Sequence, residues 1–147
     1  MPSKYSMETC MIKKIALIAA ATLSLAGCQT TPTSEVSNMD LLGSWHIEQV
    51  YDRPVIDYSP AKLVFEPSGK LTGNNSCNNF FGSYAQDGDK LTLMPAGMTR
   101  KACVDALMDQ EARVTDALPK VHAAKESQGK LLLLDEAGQT LVILSRL

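Results

Sequence analysis

Apolar and polar residues alternate along several short segments of this chain, which is the pattern of β-strands with one buried face. In the segment Gly43–Val50, Trp45 and Ile47 fall on one face, while His46 and Glu48 fall on the other. Further segments of this kind, or short apolar runs, lie at 61–65, 82–86, 90–94, 121–125, 131–134 and 140–144. The pattern predicts six to eight short antiparallel strands.

Turn-forming residues separate these segments. Glu66-Pro67-Ser68-Gly69 combines a proline, which presets φ, with a glycine, which accepts positive φ. Asp87-Gly88-Asp89 is a hairpin signal. We expect a loop at 51–60, which contains two prolines, and we expect Pro95-Ala96-Gly97 to break the strand before it.

One segment, Asp105–Leu118, has the spacing of a helix. Leu107, Val114 and Leu118 fall on one helical face, and Pro119 follows them as a stop signal. Asp105 is expected to cap the first turn. The sequence therefore predicts an α+β fold in which one helix is inserted before the last two or three strands.

Four asparagines surround one cysteine in the segment Leu71–Tyr84. Asparagine and glycine are rare inside strands, so this polar run predicts a structured corner of the sheet. Its amides have two interpretations. They can hydrogen-bond the backbone at the corner, or they can bind a sugar or a peptide.

Two phenylalanines, Phe80 and Phe81, follow the asparagines directly. Neighbouring residues of an extended strand point to opposite faces, so one ring is expected in the core and the other at the surface. We expect Asn78, Asn79 and Phe81 to be the candidate contact residues for a partner.

Glu111 interrupts the apolar face of the predicted helix, four residues after Leu107 and three before Val114. One interpretation is a residue at the edge of the apolar stripe whose carboxylate reaches water. The other is a partly buried carboxylate that accepts hydrogen bonds from backbone amides of the asparagine corner.

The N-terminal segment has the composition of an export signal. Residues 1–27 are predicted to be a signal peptide. Signal peptides begin close to their lysines, here Lys13 and Lys14, so Met11 is an alternative start of the protein. Leu25-Ala26-Gly27-Cys28 resembles the lipobox of bacterial lipoproteins, which predicts lipidation of Cys28. The alternative is an ordinary signal peptide with an incidental cysteine. Residues 28–39 are expected to be a flexible lipidated tether, and 40–147 the folded domain.

Composition narrows the functional classes. The 147 residues are 45% hydrophobic and 20% charged, with a formal net charge of −2, as expected for a single globular domain. A mildly acidic chain lacks the basic surface of a nucleic-acid-binding protein, so no nucleic-acid partner is expected.

Two cysteines, Cys77 and Cys103, belong to the predicted domain. An exported protein meets an oxidising compartment, which favours a disulfide between them, and two buried free thiols are the alternative. A catalytic cysteine would need a histidine partner, and neither His46 nor His122 lies in a recognisable motif. We therefore expect no enzyme activity.

Neither a metal nor a cofactor is expected. The two histidines lack a ligand spacing of known type. Asp87 and Asp89 resemble calcium ligands only superficially, because turn chemistry explains them and no closing glutamate follows.

Three sequence elements together resemble the META domain, the domain of the heat-shock lipoprotein HslJ and its relatives. They are Gly43-Ser44-Trp45, the pattern Cys-Asn-x-Phe-x-Gly-x-Tyr at Cys77–Tyr84, and Met98-Thr99-x-x-Ala102-Cys103 before the helix with Glu111. The resemblance runs from about Leu41 to Leu147 and implies an antiparallel sheet curled around a helix. It carries over no catalytic residue.

The resemblance and the lipobox together lead to two functional hypotheses. The first is a non-enzymatic, stress-related lipoprotein that binds or supports a periplasmic partner. Because Gln29 follows the lipidated cysteine, the family pattern implies an anchor in the outer membrane, at its periplasmic face. The alternative is a ligand-binding or lysozyme-inhibitor-like periplasmic module.

Overall fold

The computed structural model describes residues 39–147. The predicted signal peptide, the alternative start at Met11, the lipidation site Cys28 and nearly all of the tether lie outside the described residues. Among residues 39–147, no helix is long and apolar enough to cross a membrane. Residues 39–147 form a compact unit with its own hydrophobic core, so the domain is expected to fold alone under oxidising conditions.

The described chain forms antiparallel strands and one α-helix, which confirms the predicted α+β class. The strands are β1 (Gly43–Val50), β2 (Arg53–Pro54), β3 (Lys62–Phe65), β4 (Lys70–Asn74), β5 (Asn79–Asp87), β6 (Lys90–Met98), β7 (Ala123–Ser127), β8 (Lys130–Leu134) and β9 (Thr140–Arg146). The helix α1 (Asp105–Ala117) lies between β6 and β7 and runs into a 3₁₀ turn, Leu118–Lys120. The two-residue strand β2 lies in the segment predicted to be a loop.

The sheet curls until its two ends meet. Its strand order is β2-β1-β3-β4-β5-β6-β7-β8-β9, and β9 also pairs with β1. Most neighbours share a ladder of several residues, but β6 and β7 are joined at one pair only, Lys90 with Ala123. The chain between these two strands contains α1, so the helix takes the place of the missing ladder.

The inward faces of the strands form one core, as the alternation predicted. Trp45, Leu63 and Leu91 are at most 2% exposed, and the indole N–H of Trp45 donates to the carbonyl of Leu41 at 2.8 Å. Burial of a large apolar side chain stabilises the fold by about 1.5–3 kcal/mol. The core is therefore the main source of stability.

Strand β6 continues through Pro95-Ala96-Gly97, so the prediction of a strand break there was wrong. Phe81 pairs with Gly97 and Gly82 with Pro95, which leaves Ala96 as the extra residue of a β-bulge. Pro95 is tolerated because this part of β6 has no strand on its second side within residues 39–147. Gly82 is needed at the bulge, since a Cβ there would lie 2.2 Å from the carbonyl oxygen of Met94.

The helix differs from the prediction at its start and on its inward face. Val104 occupies the N-cap position without a side-chain cap, so Asp105 lies in the first turn and is not the cap. Val114 is buried as predicted, but Leu107 is only half-buried, and Gln110 is fully buried in the same face. Val114 and Leu118 supply apolar contacts, while Gln110 supplies polar ones.

Gln110 links the helix to two other segments. Its Oε1 accepts a hydrogen bond from the backbone N–H of Ile56 at 2.8 Å. Its Nε2 donates to the hydroxyls of Ser59 and Ser76, both at 2.6 Å. All polar atoms of this amide therefore have partners, as burial requires. The loop after β2 and the asparagine corner are both held on the helix by one side chain.

A disulfide joins Cys77 to Cys103, as the sequence predicted, with the Cα atoms 6.0 Å apart. The alternative of two free thiols does not apply to this structure. Cys77 lies in the corner between β4 and β5, and Cys103 lies two residues before α1. The bond therefore fastens the corner to the entry of the helix.

Reduction of the disulfide is expected to lower the free energy of unfolding by about 3 kcal/mol, because the bond closes a loop in the unfolded chain. The two cysteines are 26 positions apart. Urea unfolding of residues 35–147, followed by Trp45 fluorescence with and without dithiothreitol, measures the change. The double variant Cys77→Ala/Cys103→Ala should have the urea midpoint of the reduced protein, and dithiothreitol should not change it. An unchanged midpoint on reduction of the wild type would contradict the expectation.

Gln110→Met is expected to lower the free energy of unfolding by about 2–3 kcal/mol, because it leaves the Ile56 N–H without its buried partner. Methionine has a similar length, so little packing volume is lost. Gln139→Met is the matched control, because the side chain of Gln139 is exposed and its hydrogen bonds to Asp135 are made by its backbone. Equal urea midpoints for the two variants would show that the buried amide contributes nothing.

Candidate functional site

The asparagine corner connects the end of β4 to the start of β5, and its residues 75–78 are buried. Asn74 closes the first turn, since its Oδ1 accepts from the backbone N–H of Ser76 at 2.8 Å. Asn75 closes the next one, because its Oδ1 accepts from the backbone N–H of Asn78 at 3.0 Å. These short-range bonds are typical of asparagine and explain why the corner is rich in it.

Asn78 uses every hydrogen-bonding position of its amide. Its Oδ1 accepts from the hydroxyl of Thr99 and from the backbone N–H of Lys101, both at 2.7 Å. Its Nδ2 donates to the Lys101 carbonyl at 3.2 Å and to the Glu111 carboxylate at 2.9 Å. An amide offers two donor and two acceptor positions, so none is left for a ligand.

This geometry corrects the expectation that Asn78 contacts a partner. The side chain is 2% exposed, and it binds the segment after β6 and the helix α1. Asn78 is therefore a structural residue that holds three parts of the chain together. The interpretation of the corner as a hydrogen-bonded sheet junction applies to Asn74, Asn75 and Asn78.

Glu111 follows neither sequence interpretation completely. Its carboxylate is half-buried and accepts a hydrogen bond from the corner, but the donor is the side-chain amide of Asn78 and not a backbone amide. A charged acceptor strengthens such a bond relative to a neutral one. Glu111 therefore strengthens the junction from the helix side.

Ser76 has a φ of +111°, which is rare for a residue with a side chain. Backbone of this kind costs about 1–3 kcal/mol and persists only where neighbours impose it. The backbone N–H of Ser76 is held by Asn74, and its hydroxyl is held by Gln110. The strain is offset by bonds that join the corner to the helix.

The two phenylalanines point to opposite faces, as expected. Phe80 is 5% exposed and belongs to the core, whereas Phe81 is 56% exposed on the outer face of the sheet. The ring of Phe81 covers Gly97 on β6, since a Cβ at Gly97 would lie 2.9 Å from that ring. Asn79 is also exposed, and its Oδ1 accepts from Asn74 at 2.8 Å.

The direct strand partners of Phe81 carry no charge. These partners are Thr72 and Gly97, and the next outward row is Lys70, Ser83 and Met94. The ammonium group of Lys70 forms an ion pair with Glu66. Met94 is 45% exposed. Exposed aromatic and methionine side chains with charge only at their border are typical of a protein interface.

Two charged clusters shift the pKa values of their members. Lys130, which hydrogen-bonds Glu48 from β8, lowers the pKa of that carboxyl group. Lys120 and Tyr51 both bond Asp116, and the bond from Lys120 is the main reason that the pKa of Asp116 is lowered. These pairs connect neighbouring elements.

Within residues 39–147, no group of three or more His, Cys, Asp or Glu side chains could hold a metal ion. Asp87 and Asp89 flank Gly88, whose φ is +63°, in the tight turn between β5 and β6. His122 faces the carbonyl of Lys120, with Nδ1 at 3.0 Å. None of these residues joins the asparagine corner.

Three features of the site were missed by the sequence interpretation. Nothing in the sequence indicated that Gln110 is buried, because a glutamine in a helix is normally exposed. Tyr58 is fully exposed at a φ of +60°, in a segment predicted only to be a loop. A cavity beside Arg100 depends on how β6 and the helix pack, which no local pattern reveals.

Solved structures of other proteins share this fold. An NMR structure of a protein from Burkholderia xenovorans is 26% identical, with a TM-score of 0.57 over 71% of this chain and 81% of the other. A crystal structure of a DUF4847 family protein from Bacteroides vulgatus is 15% identical, with a TM-score of 0.55 over 71% and 92%, and shows likeness in fold alone.

No curated protein matches the chain. The model of the META domain family matches residues 39–146, which is nearly the whole described part. The pattern Cys77–Tyr84, which carried the resemblance, forms the corner and the start of β5 in the structure. The chain therefore belongs to the META domain family, for which HslJ-like is a suitable name.

Proposed function

We propose that this protein is a non-enzymatic lipoprotein of the bacterial envelope that binds or supports a partner protein in the periplasm. The observation that carries the proposal is the exposed Phe81 surface, defined by Phe81, Met94, Gly97 and Thr72. The resemblance to a heat-shock lipoprotein supports a role in envelope stress.

The Phe81 surface has the chemistry of a contact site. A phenylalanine with more than half of its surface in water loses unfavourable hydration when a partner covers it. Single exposed apolar residues are common, but here uncharged strand partners and an exposed methionine accompany the ring. The partner is expected to offer an apolar pocket of complementary shape.

The asparagine corner supports the non-enzymatic part of the proposal. The buried amide of Asn78 bonds other parts of the same chain at every position, so it is not poised to polarise a substrate. Catalysis of acyl or phosphoryl transfer would need a nucleophile beside a base, and the two cysteines of the domain are joined to each other.

The anchor is proposed from the sequence at Cys28. Acyl chains supply about 0.8 kcal/mol per buried CH₂ group, and more than one chain makes attachment to a membrane stable. Such an anchor would hold the domain at the periplasmic face of the outer membrane, where a tether of about ten residues lets it reach a partner.

Cys28→Ser in the full chain is expected to move the protein from the membrane fraction to the soluble fraction or to leave it unprocessed, because acylation needs the thiol. Globomycin, which blocks cleavage of lipoprotein signal peptides, should make the longer form of the wild type accumulate. Immunoblots of fractionated cells measure both results. Normal trimming of the wild type in globomycin would contradict the anchor.

A photoreactive p-benzoylphenylalanine at position 81 of the full chain is expected to form a covalent adduct with one envelope protein in illuminated cells. The same group at position 125 is the control, since Lys125 is exposed on β7, away from the Phe81 surface in strand order. Mass spectrometry identifies the adduct. Identical adduct patterns at the two positions, or none at position 81, would refute this contact site.

A further inference from the structure

A second surface feature lies where the sheet fails to close. Beyond the single pair Lys90–Ala123, β6 separates from β7, and the end of α1 with the 3₁₀ turn stands opposite it. Between them lies a cavity of about 430 Å³. This seam cavity falls in the range of small-molecule sites, roughly 300–1,000 Å³.

The walls of the seam cavity are mostly apolar. The sheet side is formed by Phe80 and by the bulged end of β6, and the helix side by the end of α1 and the turn after it. The apolar lining residues are Phe80, Pro95, Ala96, Met98, Leu118 and Pro119. Such a lining favours an alkyl or aromatic group, because burial removes apolar surface from water.

One fixed hydrogen-bond donor faces this cavity. Asn75 is 1% exposed, and its orientation is set because its Oδ1 accepts from the Asn78 backbone N–H. Its Nδ2 donates to the Thr115 hydroxyl at 3.1 Å, and otherwise it reaches only the thioether of Met98 at 3.8 Å. A thioether is a weak acceptor, so a ligand oxygen near Met98 would be a stronger partner for the second N–H.

An unpaired cation lies at the same cavity. Arg100 is exposed and lines the wall, and within residues 39–147 its guanidinium makes no hydrogen bond or ion pair. Arg100 also lines a second, neighbouring cavity. The one carboxylate in the lining of that cavity is Glu111, which accepts a hydrogen bond from the side-chain amide of Asn78. The charge of Arg100 is therefore free to bind an anion.

We propose that the seam cavity binds a small amphiphile with a single apolar chain and an anionic head group. The chain lies between the bulged end of β6 and the turn after α1. The head oxygens bond the guanidinium of Arg100 and the amide of Asn75. A carboxylate and a phosphate monoester share this chemistry. The site shares only Gly97 with the Phe81 surface, and it does not depend on the proposed partner.

Titration of ¹⁵N-labelled residues 35–147 with octanoate and with octyl phosphate tests the proposal, with amide chemical shifts as the readout. Saturable shifts at 96–100 and at Thr115 are expected, and the tighter ligand tells a carboxylate head from a phosphate head. Hexanoate should bind about tenfold more weakly than octanoate, because it buries two fewer CH₂ groups. No saturable shift with either eight-carbon anion would overturn the proposal.

The head group is tested by ligands of equal chain length. Octan-1-ol and octylammonium should bind at least about threefold more weakly than octanoate, because neither forms the charged bond to Arg100. Arg100→Gln should weaken octanoate binding by about threefold to tenfold and leave octan-1-ol unchanged. Lys125→Gln removes an exposed charge on β7 and should change neither. Equal binding of octanoate and octan-1-ol would overturn the anionic head group.

The place of binding is tested by filling the cavity. Ala96→Trp puts a large side chain on the cavity wall and should abolish saturable octanoate binding. Ala85→Trp is the matched control, because Ala85 is exposed on the outer face of β5, and this variant should bind as the wild type does. Both variants should keep the dispersed spectrum of the folded domain. Wild-type affinity in a folded Ala96→Trp variant would overturn the seam cavity as the site.

Discussion

The fold depends on how the helix is held at the seam between β6 and β7. These strands share one pair of residues, so backbone hydrogen bonds join them only at the start of β6. The helix covers the gap with Val114 and Leu118, but its inward face also carries Gln110, which apolar packing alone would not accept. Polar bonds from the asparagine corner and the loop after β2 satisfy that amide, and the disulfide fixes the start of the helix.

The need to hold the helix at this seam explains why the asparagine corner is a structural junction. Four asparagines in one corner supply amides that bond neighbouring backbone, the segment after β6 and the helix. A half-satisfied polar network would destabilise the core, so the network is useful only when each member has a partner. The cost is that Asn78 has no capacity left for a ligand. Recognition is therefore proposed at the Phe81 surface and at the seam cavity, where Asn75 is the one residue of the corner that faces the proposed ligand.

The Phe81 surface and the seam cavity meet at the bulged end of β6. The bulge at Ala96 turns the end of β6, so Gly97 comes under the ring of Phe81 while Ala96 and Met98 line the seam cavity. One irregularity of a single strand thus shapes both candidate surfaces. Bulges are common beside binding sites for this reason, since an extra residue redirects the side chains around it.

The sequence alone determined most of the strands, the helix and the opposite faces of Phe80 and Phe81, because each depends on local periodicity. It favoured the disulfide over two free thiols from the chemistry of paired cysteines in an exported protein. It could not determine that β6 passes through Pro95, because a proline is tolerated only where the far side of a strand is unpaired, and pairing is a long-range property. Nor could it reveal that Gln110 is buried or that every hydrogen-bonding position of the Asn78 amide is used. Their partners lie between 21 and 54 positions away in the chain, and only the tertiary structure brings them together. The residues of the corner thus identify the family. Its structural role could not be predicted from them, because the corner contacts residues that are far away in the sequence.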